Sequence, residues 1–185
     1  MRRLVNRRRV CLGLGAGLTA PLTGCGFQPV YMPTASGKAG VAQRELASVY
    51  VPVIPERPGQ LLRQALQQRF GDDSGTAAAY DLRVSYAISG EGIAIETNNI
   101  ATRVRLTGRA SWILVAHDAA ATPLTSGNAR SLDGLNIYNE QYFAADLETE
   151  AVQKRIADAV AQQITDQLAI WFRQRAARDV AHPTG

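Results

Sequence analysis

The side chains able to do chemistry are few and scattered. Two cysteines, Cys11 and Cys25, and two histidines, His117 and His182, are spread over 185 residues. A metal site needs several such ligands at short spacing, and no such cluster occurs. His117-Asp118 falls in an expected turn, and His182 lies near the C-terminus. Each would join a catalytic site only if distant partners converged on it; a solvated loop histidine is the simpler reading. The sequence has no Gly-x-Ser-x-Gly elbow. Ser89-Gly90-Glu91-Gly92 lacks the lysine and the following helix that a phosphate-cradling loop needs. Six of the 16 carboxylates (Glu140, Asp146, Glu148, Glu150, Asp158 and Asp166) fall in the long stretch of helical periodicity, where a solvated helix face accounts for them, and the rest are scattered. Nothing points to an enzyme, a metal or a cofactor.

Two arrangements remain. The first is Leu22-Thr23-Gly24-Cys25. It follows a basic segment, Met1 to Arg9, and a short, glycine-broken apolar stretch, Val10 to Ala20. That stretch is too short for a bilayer, which takes about 20 apolar residues. The order reads as a secretory signal over residues 1–24. The four residues at its end resemble the bacterial lipobox, in which the cysteine is acylated and becomes the mature N-terminus. Cys25 is then a lipid-attachment site. Cys11 leaves with the leader, so no thiol remains to make a disulfide in an oxidising compartment. Several acyl chains make a lasting anchor where one would be marginal. Gly26, rather than Asp, follows the cysteine, which by the usual sorting rule for such lipoproteins implies the outer membrane. Arg7-Arg8-Arg9-Val10 leaves Sec and twin-arginine export both open.

The second arrangement is a row of arginines. Arg103, Arg105 and Arg109 alternate along one segment of strand periodicity, and Arg83 has the same polarity in its expected neighbour. Like charges side by side on a sheet are unfavourable unless something pairs with them. The partner is either an acid across strands (Asp81, Glu91 or Glu96) or an anionic ligand. Arginine grips phosphate or carboxylate groups bidentately.

The overall charge needs dividing before use. The chain has 20 Lys+Arg against 16 Asp+Glu, a formal +4. Five of those arginines precede Cys25, where no acid occurs, so the rest of the chain carries a net −1. A nucleic-acid binder carries its basic excess on the folded body, so that class is set aside.

The elements that must position the arginine row follow from periodicity. Residues 25–44, with Pro29, Pro33, Gly37 and Gly40, read as an acylated start and tether. Leu46 to Ile54 is rich in β-branched residues and predicts a strand, with Pro52 marking an edge or an end. Pro55 to Gly71 predicts a helix whose Leu62, Ala65, Leu66 and Phe70 share a face. Asp72 to Ala79 is a loop. Tyr80 to Ile88 alternates cleanly, Ser89 to Gly92 reads as a turn or bulge, and Ile93 to Ile95 continues extended. Thr102 to Val115 alternates again, with Val104, Leu106, Ala110, Trp112 and Leu114 on the apolar face. Ala116 to Thr122 is a hairpin-like connection. A weaker strand fits Leu124 to Leu135, with Gly127 and Gly134 as irregularities. From Glu140 to Ala177 the pattern is helical, with Leu147, Ala151, Val152, Ile156, Val160, Ile164, Leu168 and Trp171 as one stripe. Packing against the sheet accounts for that stripe, and acids on the opposite face argue against a membrane-surface helix. Residues 178–185 read as a frayed tail. The predicted fold is α+β: a two-layer sandwich of a four-stranded, mostly antiparallel or mixed sheet covered by two helices, in the order β-α-β-β-β-α, one domain over residues 45–177.

Several short motifs in this order resemble the alphaproteobacterial form of the lipopolysaccharide-assembly lipoprotein family LptE (RlpB). They are Cys25-Gly26-Phe27-Gln28-Pro29-Val30-Tyr31 at the mature start, and Arg57-Pro58-Gly59-Gln60-Leu61-Leu62-Arg63 opening the first long helix. Tyr80-Asp81-Leu82 and Ala101-Thr102-Arg103 follow in strands. Ile137-Tyr138-Asn139 and Phe143-Ala144 precede or open the last helix. Each is weak alone; their order and spacing carry the resemblance. It implies a protein without catalytic activity that plugs and helps fold the outer-membrane β-barrel LptD and takes part in delivering lipopolysaccharide to the outer leaflet. It also implies a sheet of four strands under two helices. The arginine row is assigned to lipopolysaccharide from alternation alone, since the family's binding positions do not align here residue by residue. Two other classes remain. One is an auxiliary lipoprotein of another envelope complex, such as a lipid-transport ABC system or a cell-wall-synthase activator. The other is a lipoprotein enzyme depending on His117.

Overall fold

The computed structural model describes residues 39–71, 77–95, 101–136 and 142–181, and side chains within those bounds except 94–95, 101–102, 136 and 142–146. The lipobox with Cys25, the tether as far as residue 38, most of the Asp72–Ala79 loop, Glu96, Tyr138-Asn139 and His182 lie outside the described residues.

Seven elements follow in order. They are helix α1 (Val41–Ala47), strand β1 (Val49–Tyr50), helix α2 (Glu56–Phe70), strands β2 (Tyr80–Ile95), β3 (Ala101–Ala116) and β4 (Pro123–Asn136), and helix α3 (Tyr142–Ala181). The strands form one sheet in the order β1-β2-β3-β4. β1 runs parallel to β2; the other pairs are antiparallel. The sheet is therefore mixed, the helices cover one face, and the predicted α+β architecture is the observed one.

The alternation explains which face they cover. Leu82, Leu106, Ala110, Trp112, Leu114 and Ala129 point inward and are buried. Against them α3 sets Val152, Ile156, Val160, Ile164, Leu168 and Phe172, all at most 2% exposed. These recur every four residues, and each contributes about 1.5–3 kcal/mol by leaving water. α2 adds Leu62, Leu66 and Phe70 to the same core. Two glycines let the layers meet. A Cβ on Gly108 would lie 2.9 Å from the Tyr86 hydroxyl and against Ile156 of α3. A Cβ on Gly127 would lie 2.6 Å from the Trp112 ring, which sits directly across the β3–β4 pair.

Several boundaries differ from the sequence expectation, each for a local reason. Val41–Ala47 forms a helix where a tether and a strand start were expected, because Ala42 and Leu46, four apart, both find the core. The Tyr80 hydroxyl donates to Glu45 Oε2 at 2.8 Å and pins this helix to the start of β2. Only Val49 and Tyr50 pair with β2. Pro52 has no N–H to extend the ladder, and the Val51 carbonyl accepts from Arg63 Nε at 3.0 Å instead. β2 runs unbroken through Ser89–Gly92, and its irregularity comes between Gly92 and Ile95. Gly127 and Gly134 pair regularly; the β3–β4 shift lies at Leu114/Val115. On α3, Leu147 is 72% exposed and Ala151 is also exposed, while Phe172, absent from the expected stripe, is buried. α3 continues to Ala181, past the expected end at Ala177.

Candidate functional site

The face of the sheet turned away from the helices carries the arginine row. Arg83 on β2 and Arg103, Arg105 and Arg109 on β3 are all exposed there. Register decides how near they come. Arg83 lies opposite Ile113, well away from the other three. Arg105 lies opposite Glu91 on one side and Gly134 on the other. Arg109 lies opposite Ala87 and, on its other side, Arg130. Sequence reasoning missed Arg130. The strand pattern around it is weak, and only the pairing register shows that it joins the row.

The Arg109–Arg130 pair is close. The Arg130 N–H and C=O both bond to Gln163 of α3, at 3.1 and 3.0 Å. They point away from β3, so Arg109 and Arg130 form a non-hydrogen-bonded pair. Such pairs bring Cα atoms to about 4.5 Å and side chains closer than the alternative. Arg109 donates from Nη1 to Ser89 Oγ at 3.2 Å. Among the described residues, Arg83, Arg103, Arg105, Arg109 and Arg130 form no ion pair, and Glu91 forms none either although it faces Arg105. The expected cross-strand partner Asp81 is taken by His117, whose Nδ1 lies 2.8 Å from its Oδ1. Glu96 lies outside the described residues.

A shallow groove lined by Ser85, Ala87, Ser111, Asn128, Arg109 and Arg130 crosses this face. Alanine, serine and asparagine residues line it beside the two arginines. Two residues beyond Arg130 on the same face of β4, Leu132 lies across from Thr107 and is 58% exposed. The face thus offers cations beside an apolar side chain, which suits a ligand with both anionic and hydrocarbon parts.

The other chemically capable groups are tied to structure. His117 is half-exposed at the end of β3, paired with Asp81. Among the described residues, no hydroxyl or thiol bonds to its other nitrogen and no three His, Cys, Asp or Glu side chains gather to hold a metal. Burial pushes the Tyr86 hydroxyl up to about 12, and it is the buried side-chain atom without a hydrogen-bond partner among the described residues. Asp133 faces α3: its carboxylate accepts from Arg155 Nε at 2.7 Å and from the Gly134 N–H at 2.7 Å. Partial burial pushes its carboxyl up, but these two hydrogen bonds and the Arg155 charge outweigh it and hold the group below its ordinary range. Among the described residues, no helix is long and apolar enough to cross a membrane.

The sheet thus has one face covered by helices and the other open and arginine-lined. Residues 46–168 match the family described as LptE, lipopolysaccharide-assembly, and the chain belongs to that family, one of assembly lipoproteins rather than enzymes. Its fold is similar to that of a candidate lipoprotein from Caulobacter crescentus, with 23% identity, 71% of this chain and 96% of that chain covered, and a TM-score of 0.60. Lower similarity extends to the rare lipoprotein B from Shewanella oneidensis, with 11% identity, 72% of this chain and 97% of that chain covered, and a TM-score of 0.46. No curated protein matches the chain by sequence.

Proposed function

We propose that this protein is an outer-membrane lipoprotein, acylated on Cys25, that plugs an LptD-type β-barrel, assists its assembly, and takes part in inserting lipopolysaccharide into the outer leaflet. The observation that carries the reading is the open arginine face in a member of a lipopolysaccharide-assembly family. Lipopolysaccharide brings phosphates and acyl chains together, and Arg109, Arg130 and Arg105 beside Leu132 present complementary chemistry. Arg83 and Arg103 extend the positive field along the same face. No nucleic acid is involved in this reading, since the excess charge of the chain belongs to the segment before Cys25.

The test is copurification. The full chain, tagged at its C-terminus, is extracted from outer membranes in mild detergent and its partners identified. A stoichiometric large β-barrel is the expected result. Recovery of an inner-membrane transporter or a cell-wall synthase instead would overturn the barrel assignment and favour the auxiliary-lipoprotein class. Labelled palmitate should enter the wild-type chain and not Cys25→Ala; label in the variant would refute the lipid attachment.

A further inference from the structure

The charge of α3 reverses along its length. From Tyr142 to Ala169 it carries two bases, Lys154 and Arg155, against five acids, Asp146, Glu148, Glu150, Asp158 and Asp166. From Ile170 to Ala181 it carries Arg173, Arg175 and Arg178 against Asp179 alone. The helix also leaves the core there. Phe172 is its last buried residue, and the nine residues after it extend about 13 Å past the packed part of the fold.

That projecting end is amphipathic in its own right. Ile170, Gln174, Ala177 and Ala181 share an exposed face, and Val180, three residues after Ala177, adjoins it and is 82% exposed. Arg173 lies on one flank of this stripe and Arg178 on the other, while Asp179 lies on the opposite side of the helix. The Arg175 guanidinium stacks over the Trp171 ring, 5.4 Å from its centroid. A helix C-terminus favours cations on its own account, but that does not explain the apolar side chains turned to water between them. Arginine beside tryptophan and aliphatic side chains suits the boundary between lipid headgroups and acyl chains.

The same end receives the chain from Cys25. α1 packs against α3. Tyr80 joins the two: its hydroxyl donates to Glu45 of α1, and its ring lies 5.2 Å from that of Phe172. Arg44 Nη1 donates to the Ala39 carbonyl at 2.8 Å, where the chain enters α1. Ala39 lies fourteen residues after Cys25. That length of chain spans at most about 50 Å, less than the roughly 60 Å of α3, so an anchor at Cys25 keeps this end close to the leaflet.

We propose that the C-terminal end of α3, Ile170 to Ala181, docks on an anionic phospholipid surface, that of the leaflet holding the Cys25 acyl chains. The proposal rests on the acylation of Cys25. The arginines supply the attraction, and Ile170 and Val180 enter the headgroup boundary. The contact uses only the end at which the chain from Cys25 arrives, so a barrel can enclose the rest of the domain.

A thiol label tests this in the acylated chain, purified from membranes and reconstituted in vesicles. Cys11 leaves with the leader and the Cys25 thiol carries lipid, so Val180→Cys supplies the site for a fluorophore. Leu147→Cys, exposed toward the other end of α3, is the control. In equal parts phosphatidylcholine and phosphatidylglycerol, a nitroxide-bearing lipid should quench the label strongly at Val180 and weakly at Leu147. Phosphatidylcholine alone should reduce the difference. In the Val180→Cys background, Arg178→Ser should weaken docking about fivefold, read by titrating phosphatidylglycerol, and Arg178→Lys should retain it. These side chains are all exposed, so the fold persists. Equal quenching at Val180 and Leu147, or quenching at Val180 that neither Arg178→Ser nor phosphatidylcholine alone reduces, would overturn the contact. Label on the wild-type chain would instead overturn acylation at Cys25, and with it the reading on which the contact rests.

Discussion

Gln163 of α3 holds the Arg130 backbone at both ends: its Oε1 accepts from the N–H at 3.1 Å and its Nε2 donates to the carbonyl at 3.0 Å. A side-chain amide thus occupies the place of a neighbouring strand. The contact closes the β4 edge and aims Arg130 at Arg109. Gln163→Leu should cost about 0.5–1.5 kcal/mol, because water can reach this edge and replace part of what is lost. Amide hydrogen exchange should show the loss locally, with protection falling at Arg130 more than at central β3 amides. Equal exchange in both proteins would mean the edge is held by other contacts.

Gly108 is set where β3, Tyr86 and Ile156 crowd together. Gly108→Ala should destabilise the protein by about 1–3 kcal/mol through overpacking. Ile156→Leu, which removes the Cγ2 methyl that the new Cβ would meet, should recover part of that in the Gly108→Ala background, although alone it costs about 1 kcal/mol. Denaturant midpoints of the two single variants and the double measure the coupling; simple additivity would show that Ile156 is not what the new methyl meets.

The Tyr86 hydroxyl is buried with no partner among the described residues. Tyr86→Phe should raise stability by about 1 kcal/mol, since the unpaired group is removed and the ring kept. The pH dependence carries a second sign. Burial raises the folded value to about 12 from 10.0. That contribution to stability is fully present below pH 10 and lost as pH rises toward the folded value. The Phe variant should lack this share of the alkaline loss, read from thermal unfolding across that range.

Asp133 behaves in the opposite sense. Burial pushes its carboxyl up, but the hydrogen bonds from Arg155 and Gly134 outweigh that and hold the folded value below the ordinary 3.8. Its stabilisation is present above that ordinary value and disappears as pH falls through the lower folded one. Asp133→Asn should therefore be less stable than wild type at pH 7, with the gap closing below pH 3.8. A gap that does not change with pH would assign the loss to packing rather than charge.

The strands and the long helix were legible because their periods are strict: Tyr80 to Ile88 alternates, and Val152, Ile156, Val160 and Ile164 repeat on one face. What escaped depended on tertiary contacts. Val41–Ala47 is too short to announce itself and is helical because Ala42 and Leu46 reach the core. β1 shrank because Pro52 and Arg63 divert the backbone after Tyr50. On the candidate site, alternation placed Arg83, Arg103, Arg105 and Arg109 on one face, but distance along the face is a matter of register. Register separates Arg83 from the rest and brings in Arg130 from a strand whose pattern is weak.

That register sets stability against binding at one position. Arg109 and Arg130 are like charges at a close cross-strand pair, an arrangement that costs the fold a few tenths to about 1 kcal/mol. An anion bound between them would remove the repulsion, so the pair is retained at a cost if it binds. Arg130→Ser leaves the Gln163 contacts intact, because those use the backbone. It should raise stability slightly, most at low salt where repulsion is least screened. The same variant should weaken lipopolysaccharide binding about tenfold, the loss of one charge-assisted contact. Thermal unfolding at two salt concentrations and binding of purified lipopolysaccharide read the two effects on one preparation. A gain in stability with unchanged binding would make the pair a burden without a ligand and remove Arg130 from the site.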